Sequence, residues 1–294
     1  MGKRLALLLV LAAFVAAEPA SAAYPGSNGR IAFQRTDGYI YSIASDGAGL
    51  KRLGLGTSPS YSPDGSRIAF ELNGDIWTMN SDGTHRQQVT TSSAQDADPT
   101  WSPDGTRIAF SSNRSPEGIY SLASTIPYGK AVLVEAAPSD AQNGIESFDA
   151  YPAWATNGLI YYTRFTHYGG SFCDDSQDTW RVNPATHATH FVIRNAIEAD
   201  PGPAAGALAY INAYKDPNTC DYLTGVSIAG IGGANAHTVT APRSTTPSDG
   251  FVVFSPTGTL LAFQRGSYVM IIRPNGTGLR RLTLGQNPSW QPAP

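Results

Sequence analysis

A chain of 294 residues, 41% hydrophobic and only 15% charged, is long enough for one large or two small domains with a sizeable buried core. Its 30 glycines and 21 prolines call for many tight turns, yet stay below the content of a disordered chain. With 20 basic against 23 acidic side chains, the net charge of −3 excludes a protein that coats nucleic acid.

The first element in the chain is an address. Lys3 and Arg4 precede an unbroken apolar run from Leu5 to Ala17, followed by Pro19 and Ala20-Ser21-Ala22. A basic start, a short apolar stretch and an A-x-A site predict a secretory signal peptide over residues 1–22, with the folded domain over residues 23–294. The run is shorter than the roughly 20 residues a membrane span needs, and no later segment approaches that length. The first cysteine is Cys173, so none near the cleavage site can take a lipid. The expectation is a secreted or periplasmic protein with no membrane span, not a lipoprotein.

Beyond the leader one pattern recurs. Its clearest copies are Pro59-Ser60-Tyr61-Ser62-Pro63-Asp64-Gly65-Ser66-Arg67-Ile68-Ala69-Phe70 and Pro99-Thr100-Trp101-Ser102-Pro103-Asp104-Gly105-Thr106-Arg107-Ile108-Ala109-Phe110. Weaker copies begin at Pro152, Pro201 and Val252, which puts the anchor residue at Tyr61, Trp101, Trp154, Pro203 and Phe254. Spacings of this length fit one propeller blade per copy. Asn28 to Phe33 is the second half of the pattern alone, and Pro288 to Pro292 the first half alone. A closed ring explains both fragments, because the last strand then completes the first blade and leaves no open edge. The fold class predicted is all-β: a six-bladed β-propeller of four-stranded antiparallel blades, closed by the C-terminal strand.

Within each blade, the first strand carries the anchor and a short turn leads to the second. The second strand carries Phe33, Phe70, Phe110, Tyr162, Tyr210 and Phe263, a column expected to pack between blades. The third carries Tyr41, Trp77, Tyr120, Trp180, Thr224 and Met270. Asp64 and Asp104 sit in S-P-D-G, which reads as a tight turn rather than a ligand set.

S-P-D-G followed by R-I-A-F, an aromatic strand and S-D-G resembles the WD-like propeller repeats of the TolB family, from Asn28 to Pro292. The resemblance covers only the propeller and implies an extracytoplasmic propeller of binding type. Prolyl-oligopeptidase relatives carry similar repeats, but the G-x-S-x-G elbow is missing here; the nearest approach has glycine one place late, at Gly230.

Two groups of residues carry candidate chemistry. Asp96, Asp149, Glu198 and Asp249 lie five residues before the anchors, and Asp98 and Asp200 three before. Where the chain crosses into an inner strand, these acids should converge on one channel mouth. Like charges so placed repel unless a cation such as Ca2+ or local N–H donors compensate. The second group is two long insertions on the loop face, with His167, Tyr168, Asp174, Asp175, Asp178, Tyr214, Lys215 and Asp216. The sequence leaves the metal open between Ca2+ and none.

The reading that follows is a secreted, non-enzymatic, monomeric binding module for a protein, peptide or glycan partner. A metal-assisted lyase or hydrolase working at the channel mouth is the alternative. Cys173 and Cys220 fall in equivalent loops of neighbouring blades, and an exported protein meets an oxidising compartment. They are expected to form a disulfide. Intact-mass analysis after non-reducing alkylation should show no label on the native protein; two labels would rule the bridge out.

Overall fold

The computed structural model describes residues 26–138, 140, 142, 144–168, 175–203, 206–215, 222–242 and 248–293. Their regular structure is entirely β-strand, in six four-stranded antiparallel sheets. Blade 1 holds β1 (Ser27–Gln34), β2 (Tyr39–Ala44) and β3 (Lys51–Leu55). Blade 2 runs through β4 (Thr57–Tyr61), β5 (Arg67–Leu72), β6 (Asp75–Asn80) and β7 (Gln87–Gln88). Blade 3 has β8 (Asp96–Trp101), β9 (Arg107–Ser112), β10 (Gly118–Ala123) and β11 (Val132–Ala136). Blade 4 is the longest, with β12 (Ile145–Trp154), β13 (Ile160–Tyr168), β14 (Ser176–Val182) and β15 (Thr189–Ile193). Blade 5 contains β16 (Ala196–Pro201), β17 (Ala207–Lys215), β18 (Tyr222–Gly230) and β19 (His237–Thr238). Blade 6 consists of β20 (Asp249–Phe254), β21 (Leu261–Arg265), β22 (Tyr268–Ile272) and β23 (Arg280–Leu284). The last strand, β24 (Gln286–Ala293), joins blade 1 beside β1, with Trp290 opposite Ile31 and Ser289 opposite Ala32. The six-bladed ring and its closure are as the repeat spacing predicts.

The S-P-D-G segments form the expected turns. The Gly65 N–H donates to the Ser62 carbonyl (2.8 Å), and Asp64 accepts from Ser62 Oγ (2.6 Å) and the Ser66 N–H (3.1 Å). Asp104 repeats this with Ser102 and Thr106. Gly65 and Gly105, at φ +67° and +70°, hold left-handed positions that a side chain would strain.

The second-strand aromatics sit between sheets. Phe70 packs on Ala32 and Ile40 of the blade before it, Phe110 on Ala69 and Ile76, and Tyr162 on Ala109 and Ile119. Tyr210, Phe263 and Phe33 continue the series onto Tyr161, Ala209 and Ala262, so the column closes with the ring. Burial of each such ring contributes about 1.5–3 kcal/mol, and the core is a cycle of six layers rather than one centre.

Blade 5 departs from the register read in the sequence. Gly202 N–H donates to Ala207 O as Ser62 N–H does to Arg67 O, both at 2.9 Å, and Pro201 lies opposite Leu208 as Tyr61 lies opposite Ile68. The anchor of this blade is therefore Pro201, not Pro203. Its third-strand partner of Tyr210 is Ser227, not Thr224. The long insertions of blades 4 and 5 are also more regular than expected, since β13, β14, β17 and β18 extend into them.

Candidate functional site

Every inner strand bends at one equivalent place. The residue three before the anchor has positive φ in all six blades: Ser58 (47°), Asp98 (53°), Tyr151 (53°), Glu198 (53°), Phe251 (50°) and Asn287 (48°). None is glycine. The pairing register slips at each of these residues in blades 2 to 6, the signature of a bulge. A bulge leaves a backbone N–H without its ladder partner, and a buried N–H must find another. The preceding blade supplies it. Ser58 N–H donates to Gln34 Oε1 (2.7 Å), Glu198 N–H to Thr163 Oγ1 (2.9 Å), Tyr151 N–H to the Asp98 carboxylate, and Phe251 N–H to Glu198 Oε2. At the anchors, Tyr61 N–H donates to Ser289 Oγ (3.1 Å) and Phe254 N–H to Asp200 Oδ2 (2.9 Å). Asp98, Glu198 and Asp200 thus tie one blade to the next around the channel.

The six acids expected at one mouth divide into two groups of three. Asp96, Asp149 and Asp249 are buried in ion pairs with an arginine of their own blade's second strand or the loop after it. Arg164 reaches Asp149 through Nε and one terminal nitrogen, both at 2.8 Å, and Glu135 at 2.8 Å. Arg265 holds Asp249 at 2.6 and 2.8 Å, and Arg114 holds both oxygens of Asp96 at 2.6 Å. A guanidinium therefore supplies the compensating charge for these three. Sequence reading missed the arginines, although Arg35, Arg164 and Arg265 each fall two residues after the second-strand aromatic. The corrected register moves Glu198 to the bulge position with Asp98, and Asp200 to the place before the anchor.

Asp98, Glu198 and Asp200 line a cavity of about 180 Å³ in the channel, together with Tyr151, Phe251, Trp154, Trp290 and several prolines. The lining reaches Pro203, Ser255 and Pro256 in the turns after the inner strands, and among the described residues it contains no lysine or arginine. Burial without a balancing charge raises these carboxyls: Asp98 to about 6, held back by bonds from Ser111, Tyr151 and Ser58. Burial likewise takes Glu198 to about 7 against the Phe251 N–H, with the Asp98 charge adding, and Asp200 to about 7 against the Phe254 N–H.

Aromatic rings connect this cavity to the loop face. Phe251 meets Tyr151 edge-on at 5.7 Å, Tyr151 meets Phe165 at 6.2 Å, and Phe165 stacks on Phe148 at 4.5 Å and 8°. Phe148 is 46% exposed, so the row runs from solvent to the centre of the ring. Nearby, His167 Nδ1 lies 2.6 Å from Asp175, Tyr168 and Tyr214 are exposed, and Lys215 sits 5.3 Å over Tyr222. Asp178 accepts the Asn195 N–H (2.9 Å). Cys173, Cys220, Asp174 and Asp216 lie outside the described residues. Asp175 and Tyr222, each two residues past a cysteine, approach at 3.5 Å from the Tyr222 hydroxyl to the Asp175 carbonyl. Among the described residues, no group of three or more His, Cys, Asp or Glu is arranged to hold a metal ion.

Residues 34–131 match the family described as TolB beta propeller domain. The chain is a six-bladed β-propeller, similar over that stretch to the propeller of TolB. No curated protein sequence matches this chain. Among solved structures it is similar to TolB from Acinetobacter baumannii, at 20% identity over 90% of this chain and 67% of that one, with a TM-score of 0.62. It is also similar to a chain of a nidogen/laminin complex (8% identity, 89% of this chain and 98% of that one, TM-score 0.63). An oligogalacturonate lyase in complex with manganese shares the fold at 11% identity, covering 88% of this chain and 74% of that one, TM-score 0.53. At these identities the likeness carries the ring and not the chemistry.

The raised carboxyls make stability depend on pH. Asp98, Glu198 and Asp200 bind protons more tightly folded than unfolded, so their contribution is full below about pH 4 and is lost as pH rises through 6 to 7. Urea unfolding should show the protein more stable at pH 5 than at pH 8, by on the order of 3 kcal/mol after allowance for water in the channel. The triple variant Asp98→Asn, Glu198→Gln, Asp200→Asn should lose most of that difference. An unchanged pH slope in the variant would contradict it.

Proposed function

We propose that this propeller is an exported binding module whose channel receives a lysine side chain or amine from a protein or peptide partner. One observation carries the reading: three carboxyls line a cavity to which, among the described residues, no basic side chain contributes. Of the six acids read in the sequence, Asp96, Asp149 and Asp249 are met by arginines, and Asp98, Glu198 and Asp200 face the cavity. A cation entering beside Asp98, Glu198 and Asp200 recovers the electrostatic cost of their burial. Trp154, Trp290 and the prolines suit the aliphatic stem of such a side chain. The row from Phe148 to Phe251 extends the contact toward the exposed residues His167, Tyr168 and Tyr214 on the loop face.

The alternative of a metal-assisted lyase rests on fold likeness to the manganese-bound enzyme, with no constellation of ligands behind it among the described residues. The amino-terminal leader supports export, and among the described residues no helix is long and apolar enough to cross a membrane.

Trp154 and Trp290 line the cavity and report on it. Titration with acetyl-Gly-Lys-Gly-amide should give a saturable change in tryptophan fluorescence, at least tenfold weaker in the triple carboxyl variant. The same peptide with norleucine in place of lysine should give none. An equal response to both peptides, or to wild type and variant, would defeat the proposal.

A further inference from the structure

The outer edge of blades 1 and 6 carries a feature unrelated to the channel. Gly49-Leu50-Lys51-Arg52-Leu53-Gly54-Leu55 and Gly278-Leu279-Arg280-Arg281-Leu282-Thr283-Leu284 are nearly the same sequence, and each ends in an outermost strand, β3 or β23. The two blades are neighbours, and Arg280 donates to the Ser45 carbonyl at the turn before β3. Structure repeats with sequence. Arg52 stacks 4.7 Å over Tyr39, and Arg281 stacks 4.7 Å over Tyr268. Lys51 Nζ reaches the Asp82 carbonyl of blade 2 (2.9 Å), as Arg280 reaches blade 1.

The leucines are what call for a partner. Leu50 (48%), Leu55 (47%), Leu279 (43%) and Leu284 (52%) stand in solvent at both ends of each basic pair. Edge strands are commonly guarded by lysine or arginine, and that accounts for the four bases. It does not account for four large apolar side chains placed around them. The local charge is also opposite to that of the whole molecule. Residues 26–55 and 248–293, which form blades 1 and 6, hold eight basic and three acidic side chains in a chain of net charge −3.

We infer that this edge docks on an anionic lipid bilayer. Bases near such a surface are attracted within a Debye length, and leucines gain by entering the boundary between headgroups and acyl chains. A soluble polyanion would engage Lys51, Arg52, Arg280 and Arg281 but leave the leucines in water, so the bilayer is the occupant that uses both halves of the pattern. Docking here places the protein on the membrane surface without spanning it. It does not rest on the channel reading, because the two sites share no residue.

Co-sedimentation of the full exported chain with vesicles tests this directly. Binding to vesicles with 30% phosphatidylglycerol in phosphatidylcholine should exceed binding to phosphatidylcholine alone at least fivefold in 50 mM NaCl, and fall sharply in 500 mM. Changing Lys51, Arg52, Arg280 and Arg281 to glutamine should abolish the preference. Changing Leu50, Leu55, Leu279 and Leu284 to serine should weaken binding at least threefold with the charge unchanged. The triple carboxyl variant of the channel should bind vesicles as wild type does. Circular dichroism melting confirms that the variants compared are folded, and single-position changes within each set replace any set that is not. Equal binding to both vesicle types would overturn the inference. So would serine variants that bind as wild type does, an outcome that points to a polyanion site.

Discussion

The inner strand of each blade bends at a residue in left-handed conformation, and that bend cannot stand alone. In blades 2, 4, 5 and 6 it takes a backbone N–H out of its own sheet and hands it to the blade before. Left-handed backbone at a residue other than glycine costs roughly 1–3 kcal/mol, so the arrangement persists only where the neighbouring blade supplies an acceptor. The four such transfers, in blades 2, 4, 5 and 6, would make the ring cooperative: one of these blades without its predecessor has an unpaired donor at its centre. Ring closure by β24 belongs to the same logic, since Ser289 accepts the Tyr61 N–H of blade 2.

The acceptors chosen decide what the channel can do. In blade 2 the acceptor is an uncharged amide, Gln34, and in blade 5 a hydroxyl, Thr163. In blades 4 and 6 it is a carboxylate, Asp98 or Glu198, and Asp200 adds a third at the anchor of blade 6. These carboxylates hold the fold and face the cavity at once. Asp96, Asp149 and Asp249 differ in kind, because an arginine meets each within its own blade. Charge balance separates the acids closed in ion pairs from the three that face the cavity.

Much of this was legible in the sequence, and the losses have physical causes. Blade number, closure and the packing column follow from spacing and aromatic identity, which tolerate divergence because volume is what the core selects. Blade 5 was read two residues late because Pro201 and Pro203 compete for the anchor in a copy without an aromatic there, and only the turn hydrogen bond of Gly202 decides between them. The bulge left no trace, since Ser, Asp, Tyr, Glu, Phe and Asn at one backbone position share no side-chain chemistry. Without it, Asp98 could not be seen as the partner of Tyr151. Glu198 fell into the wrong group because the anchor of its blade was placed two residues late. The arginine partners were visible in the sequence at a fixed offset, but their meaning depended on knowing which acids lay opposite them.

The central claim is that Asp98, Glu198 and Asp200 are carboxyls held without a counter-charge by the backbone of the next blade. Carbon-13 NMR of the side-chain carboxyls, titrated across pH 3 to 9, reads this directly. Glu198 and Asp200 should titrate near pH 7 and Asp98 near pH 6. Midpoints near the ordinary carboxylate value of about 4 for all three would contradict it.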